Sequence, residues 1–207
     1  MKPARRMAWI LGWAIPAEWF KTKVLHHFPD DRHTLINASE DFFLYLKKDA
    51  PYDHIIGYSL GSLIVLLNQD RIQPLTTQVT LLSPILAFTR EKNLGGLISL
   101  TQLQYAKRSL KSDPRKACLD FYAHAGLDIP EALISSLNVD NLNWGLEQLE
   151  YKAYSSPIPK MWNVYAGQLD LLTSADFIKR EIPQATIIEQ ATHEPTLLIK
   201  AIAEFNA

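Results

Sequence analysis

Cysteine is almost missing from this chain. The single residue of that type, Cys118, excludes an internal disulfide framework and suits a reducing compartment. It falls in a helical pattern, where a small apolar side chain is expected rather than a reactive thiol. An excess of charge is missing too: 21 Lys and Arg stand against 22 Asp and Glu, a formal net charge of -1, so nothing global suggests nucleic acid. No apolar run approaches the length of a membrane span. There is no phosphate-cradling glycine loop, dinucleotide fingerprint, internal repeat or low-complexity linker. One stretch imitates a leader, with Lys2, Arg5 and Arg6 ahead of apolar residues 7–17. It holds two tryptophans and ends in Pro16, Ala17 and Glu18 without a clean small-residue cleavage site. The same run is needed as a core strand. A cytoplasmic monomer is expected, with no nucleic-acid or membrane partner.

What is present is an ordinary globular composition of 47% hydrophobic and 21% charged residues in 207, enough for one well-buried core. Residues 7–11 (MAWIL), 33–37, 53–58 and 79–82 read as strands, with helices over 17–25, 40–48 (Ser39 as N-cap) and 60–68 between them. That alternation predicts a mainly parallel sheet. From residue 83 to 159 the pattern turns helical: 97–110, 114–125, 130–137 and 141–151. Strand 160–166, helix 174–180, strand 185–189 and helix 195–205 follow. The expected organisation is a core over 1–83 and 160–207, interrupted by a helical cap over 84–159.

The stretch Gly57, Tyr58, Ser59, Leu60, Gly61 lies between strand 53–58 and helix 60–68. A G-x-S-x-G sequence in that context is a nucleophile elbow: a strained turn lifts the serine hydroxyl out of the sheet and the helix start faces a forming oxyanion. In an α/β-hydrolase the partners follow in the order Ser, acid, His. Asp170 ends a G-x-x-D turn after strand 160–166 and is the expected acid. Asp176 is the alternative, although it falls inside a helix. Of six histidines only His193 lies beyond Asp170, on a loop after the last strand, where it can act as base. The cluster His26, His27, Asp30, Asp31 and His33 reads as a solvated loop rather than a metal site, since adjacent ligands rarely converge on one ion.

The oxyanion donors are expected at the N–H groups of Leu60 and Trp13, the latter on the loop after strand 7–11. The Trp13 indole serves equally as an acyl-pocket wall or a core residue. Phe88, Phe121, Tyr122 and Trp144 supply either a roof over the substrate or plain core. Between Gln104 and Lys116 the cap also carries Lys107, Arg108, Lys111, Arg115 and Lys116 against Asp113 alone. This is a solvated helix face or a docking patch for an acidic carrier protein bearing the substrate.

These segments resemble the pimeloyl-acyl-carrier-protein methyl ester esterases of biotin synthesis. The likeness rests on Gly12 and Trp13, on the elbow Gly57 to Gly61, and on Ser83 and Pro84. It extends to Leu142, Asn143, Trp144, Gly145, Leu146 and Glu147, to Gly167 through Asp170, and to Ala191, Thr192, His193, Glu194 and Pro195. The resemblance implies Ser59, Asp170 and His193 as triad, Trp13 and Leu60 as oxyanion donors, Phe121 along an acyl channel, and basic cap residues such as Lys116 facing acyl carrier protein. No cofactor or metal is implied. The chain departs from that pattern at Leu11, where a histidine is usual, at Ala14, where a glycine is usual, and at Asp120, where a basic residue is expected. The function expected is hydrolysis of the pimeloyl-carrier methyl ester. A general short-acyl carboxylesterase or thioesterase is the alternative, and a catalytically silent hydrolase fold used for binding is the second.

Overall fold

Strand and helix alternate from the first apolar run. The computed structural model describes residues 3–205; Met1, Lys2, Asn206 and Ala207, at the outer ends of the expected core ranges and leader-like cluster, lie outside them. In chain order the elements are β1 (Arg6–Ile10), α1 (Ala17–His27), β2 (Arg32–Ile36), α2 (Phe42–Lys48), β3 (Tyr52–Tyr58), α3 (Leu60–Leu67), α4 (Gln69–Ile72) and β4 (Thr76–Leu82). Then come α5 (Leu100–Ser112), α6 (Pro114–Ala125), α7 (Val139–Tyr151), β5 (Asn163–Gly167), α8 (Ala175–Glu181), β6 (Thr186–Ile188) and α9 (Thr196–Phe205).

The six strands form one parallel sheet in the order β2-β1-β3-β4-β5-β6. Its central strands carry apolar residues facing both sides because helices cover both faces; Met7 to Ile10, Ile55, Ile56, Leu81 and Leu82 are fully buried. The chain moves outward from β1 to β2 and returns to place β3 on the other side of β1. This reversal leaves the loops after β1 and β3 side by side at the carboxyl edge, where ligands bind in such sheets. The loops after β5 and β6 open on the same edge.

All helical matter between β4 and β5 forms one excursion whose two ends meet: Tyr154 N–H donates to the Leu86 carbonyl at 2.7 Å. Its helices have well-formed starts. Ser99 and Gln102 make a reciprocal capping box on α5, and Asp113 caps α6 with Pro114 in the first turn. Gly126, at φ 68°, closes α6. Hydrogen bonds that tie this cap to the core include Trp13 Nε1–H to the Leu142 carbonyl at 2.8 Å, Trp19 Nε1–H to Asp128 at 2.9 Å and Tyr122 O–H to Ala14 at 2.6 Å.

Several boundaries differ from the sequence expectation. Ser39 does not cap α2; the helix starts later, behind Asp41, and Ser39 is buried. Residues 130–137 make only a 3-10 turn, Glu131–Ser136, because the short segment has no second helical turn to propagate. Helix α5 begins three residues after the expected position, since Leu97 and Ile98 extend instead: Leu97 N–H bonds Leu172 and Ile98 bridges Thr89.

Candidate active site

Ser59 follows β3 directly and has φ 56° and ψ -120°, a region that costs a non-glycine residue about 1–3 kcal/mol. Its surroundings hold it there. Ser59 N–H donates to the Leu82 carbonyl at 3.0 Å, while Ser62 donates Oγ–H to the Ser59 carbonyl at 2.6 Å and accepts Ile85 N–H at 2.9 Å. Strands β3 and β4 and the start of the cap therefore grip the turn together. Gly61 allows α3 to leave this close to the sheet; a Cβ there would stand 1.9 Å from the Ile10 carbonyl oxygen.

Two distant parts of the chain converge on the serine. His193, on the loop after β6, places Nε2 2.9 Å from Ser59 Oγ and Nδ1 2.8 Å from Asp170 Oδ2. Asp170, after β5, accepts the Leu172 and Thr173 amides on Oδ1 at 2.8 and 3.3 Å. Burial alone would raise the Asp170 carboxyl. The charge and hydrogen bond of His193 and the two amides outweigh it, and the net shift is below the ordinary value of 3.8. An ionised Asp170 only accepts, so Nδ1 carries the imidazole proton and Nε2 is left to accept from the Ser59 hydroxyl. Ser59 is 4% exposed, Asp170 6% and His193 1%, so all three are shielded from bulk solvent. Asp176, by contrast, is exposed in the first turn of α8.

Leu60 is the first residue of α3, where backbone N–H groups have no helical acceptor and the helix dipole is positive. A Cβ on Gly12 would fall 3.3 Å from Ser59 Oγ, so the loop after β1 runs alongside the hydroxyl just before Trp13. The Trp13 indole points up into the cap. It forms the floor of a cavity of about 160 Å³ whose walls include Phe88, Leu103, Phe121, Leu146 and Leu172, and which opens between α5 and α6. Phe121 meets Trp13 edge-on at 4.9 Å. Tyr122 and Trp144 do not line this cavity. The Tyr122 hydroxyl is turned to Ala14, with burial raising its pKa, and Trp144 packs half-buried against the core.

The basic cap residues divide. Lys107 pairs with the nearly buried Glu150, Arg115 with Glu131 and Lys116 with Asp120. Arg108 and Lys111 are exposed and make no ion pair among the described residues. No group of three or more His, Cys, Asp or Glu that could hold a metal occurs among the described residues. Likewise, no described helix is long and apolar enough to cross a membrane. Cys118 is buried, and desolvation pushes its thiol up to about 12.

No protein-family model matches the sequence, and no curated protein matches it by sequence. Solved structures do match. An esterase from Exiguobacterium antarcticum superposes with a TM-score of 0.77 at 11% identity, over 100% of this chain and 91% of its own. A hydrolase from Oleispira antarctica gives 0.73 at 12% identity, over 97% and 91%. The carboxylesterase CesB from Bacillus subtilis gives 0.60 at 14% identity, over 100% and 82%. This chain has the α/β-hydrolase fold. The likeness at such identities fixes architecture alone; Ser59, Asp170 and His193 follow β3, β5 and β6 at the carboxyl edge of the sheet.

Sequence reasoning missed two residues that shape this edge. Ser62 stands one position beyond the elbow motif, and its clamp on Ser59 and Ile85 depends on where β4 exits. Tyr58, the variable residue of the motif, sends its hydroxyl to the His193 carbonyl at 2.7 Å. Neither carries a local signal beyond its place beside Ser59.

Proposed function

We propose that the chain is a serine carboxylesterase. Ser59 Oγ attacks the ester carbonyl as His193 Nε2 takes its proton, and Asp170 holds the resulting imidazolium. The Leu60 and Trp13 N–H groups face the developing oxyanion. His193 then protonates the departing alkoxide and activates a water that releases the acid from Ser59. The observation that carries this reading is the unbroken hydrogen-bonded chain from Ser59 through His193 to Asp170. Structural neighbours that are an esterase and a carboxylesterase agree with it.

The preferred substrate is the methyl ester of a pimeloyl chain on acyl carrier protein, as in biotin synthesis. Its support is the likeness of the cap segment 142–147 and the acid and histidine loops to that family, the apolar cavity beside Trp13, and the exposed α5 cations Arg108 and Lys111, which make no ion pair among the described residues. A second reading has its own observation. The cavity, about 160 Å³, is smaller than the roughly 300–1,000 Å³ usual for drug-sized ligands, and Lys107, Arg115 and Lys116 are engaged within the chain. Both favour a free short-acyl ester or thioester. Turnover of methyl pimeloyl carrier protein against free methyl and p-nitrophenyl esters separates the two. A carrier preference in kcat/KM supports the first, equal or better turnover of free esters supports the second, and no turnover of any ester contradicts both.

A further inference from the structure

His193 is held at its imidazole by Asp170, but its main chain is held as well. The Tyr58 hydroxyl donates to the His193 carbonyl at 2.7 Å, and the phenol ring lies against the imidazole with centroids 5.5 Å apart. Tyr58 is fully buried. From behind, Phe20 of α1 packs on the same ring at 5.4 Å. One turn along that helix face, Lys23 reaches Glu194, the residue after His193, at 2.6 Å. Glu194 in turn accepts the Thr196 amide at the start of α9 at 2.9 Å.

We propose that Tyr58 is a positioning residue for the hydrolytic reaction. Its hydroxyl fixes the main chain of His193, so that the last residue of β3 registers the base against the next residue in sequence, Ser59. The inference rests on the esterase reading above. The geometry gives Tyr58 this part because one rigid strand end carries both the nucleophile and the anchor of the base. A shift of the histidine loop is then opposed at the backbone and not only through Asp170. Burial, with Asp170 and Glu194 nearby, raises the phenol far above its ordinary pKa, so the hydroxyl remains a donor across the working range. Misplacing reacting groups by about 1 Å can cost on the order of 100-fold in rate.

The test compares two isosteric deletions on one strand. Tyr58→Phe removes the hydroxyl facing His193. Tyr52→Phe removes an equivalent buried hydroxyl that donates to the Leu46 carbonyl at 3.0 Å at the other end of β3. Both variants are expected to melt somewhat earlier than wild type. On a p-nitrophenyl ester, Tyr58→Phe is expected to lose about ten-fold or more in kcat with KM within about two-fold, and Tyr52→Phe to retain wild-type kcat. Equal kcat in Tyr58→Phe and wild type, or equal losses in both variants, overturns the inference and leaves the esterase reading standing. Wild-type protein that hydrolyses no ester overturns both. Should Tyr58→Phe not fold, 4-fluorophenylalanine at position 58 decides: it fills the space of the hydroxyl without donating to the His193 carbonyl, and a lowered kcat at unchanged KM supports the inference while an unchanged kcat overturns it.

Discussion

Gly145 of the cap lies directly against Trp13 of the core. A Cβ on Gly145 would stand 2.6 Å from Trp13 Cδ1 and 3.1 Å from Leu60 Cδ2, and one turn earlier Leu142 accepts the Trp13 indole N–H at 2.8 Å. Helix α7 is thereby seated on Trp13 and Leu60, the two residues proposed as oxyanion donors. Gly145→Ala must lift α7 or displace Trp13. Overpacking of this kind costs about 1–3 kcal/mol. Urea unfolding is expected to show that loss, with a lower kcat on a small ester; wild-type values in both would contradict the seating.

Ala14 occupies φ 56°, a left-handed conformation that costs an L-residue about 1–2 kcal/mol. Its carbonyl is held by Tyr122, which keeps the loop in place despite the strain. Ala14→Gly relieves it, and although glycine gains freedom in the unfolded chain, a net stabilisation of roughly 0.5 kcal/mol is expected. A lower melting temperature for Ala14→Gly would show that the loop is not strained there.

His54 is buried in the middle of β3 with its pKa pushed down from 6.5 to about 3, chiefly by desolvation, with the charge of Arg5 adding to it. The unfolded chain therefore binds this proton first. The contribution of neutral His54 to stability is complete above about pH 6.5 and is lost as pH falls toward 3, with a slope of up to about 1.4 kcal/mol per pH unit. His54→Gln, which retains a partner for Thr80, is expected to flatten that part of the stability–pH curve. An unchanged slope would mean that other groups dominate.

Arg108 and Lys111 are the cations of α5 that make no ion pair among the described residues, whereas Lys107 is occupied by Glu150. Replacing both with glutamate is expected to slow turnover of a carrier-bound ester by about ten-fold at low salt and to spare a free ester. Equal effects on the two substrates would remove the carrier from the account.

Much of this architecture was legible in the residues because it is local. The run MAWIL, the elbow around Ser59 and the turn at Asp170 each announce themselves within a few positions, and His193 follows from chain order. What escaped depends on distant partners. Ser39 looks like a cap until its burial is seen, and Tyr122 looks like a pocket wall until Ala14 claims its hydroxyl. Tyr58 and Ser62 act through contacts with β6 and β4 loops that no spacing encodes. The basic run on α5 and α6 reads as one patch, yet Glu150, Glu131 and Asp120 neutralise three of its members.

The convergence of a hydroxyl, an imidazole and a carboxylate is tested most directly by reacting the folded protein with a fluorophosphonate probe and mapping the modified peptide. Stoichiometric labelling at Ser59, abolished in Ser59→Ala and strongly slowed in His193→Ala, is the result expected. An unlabelled wild-type protein, or label on a different residue, would contradict it.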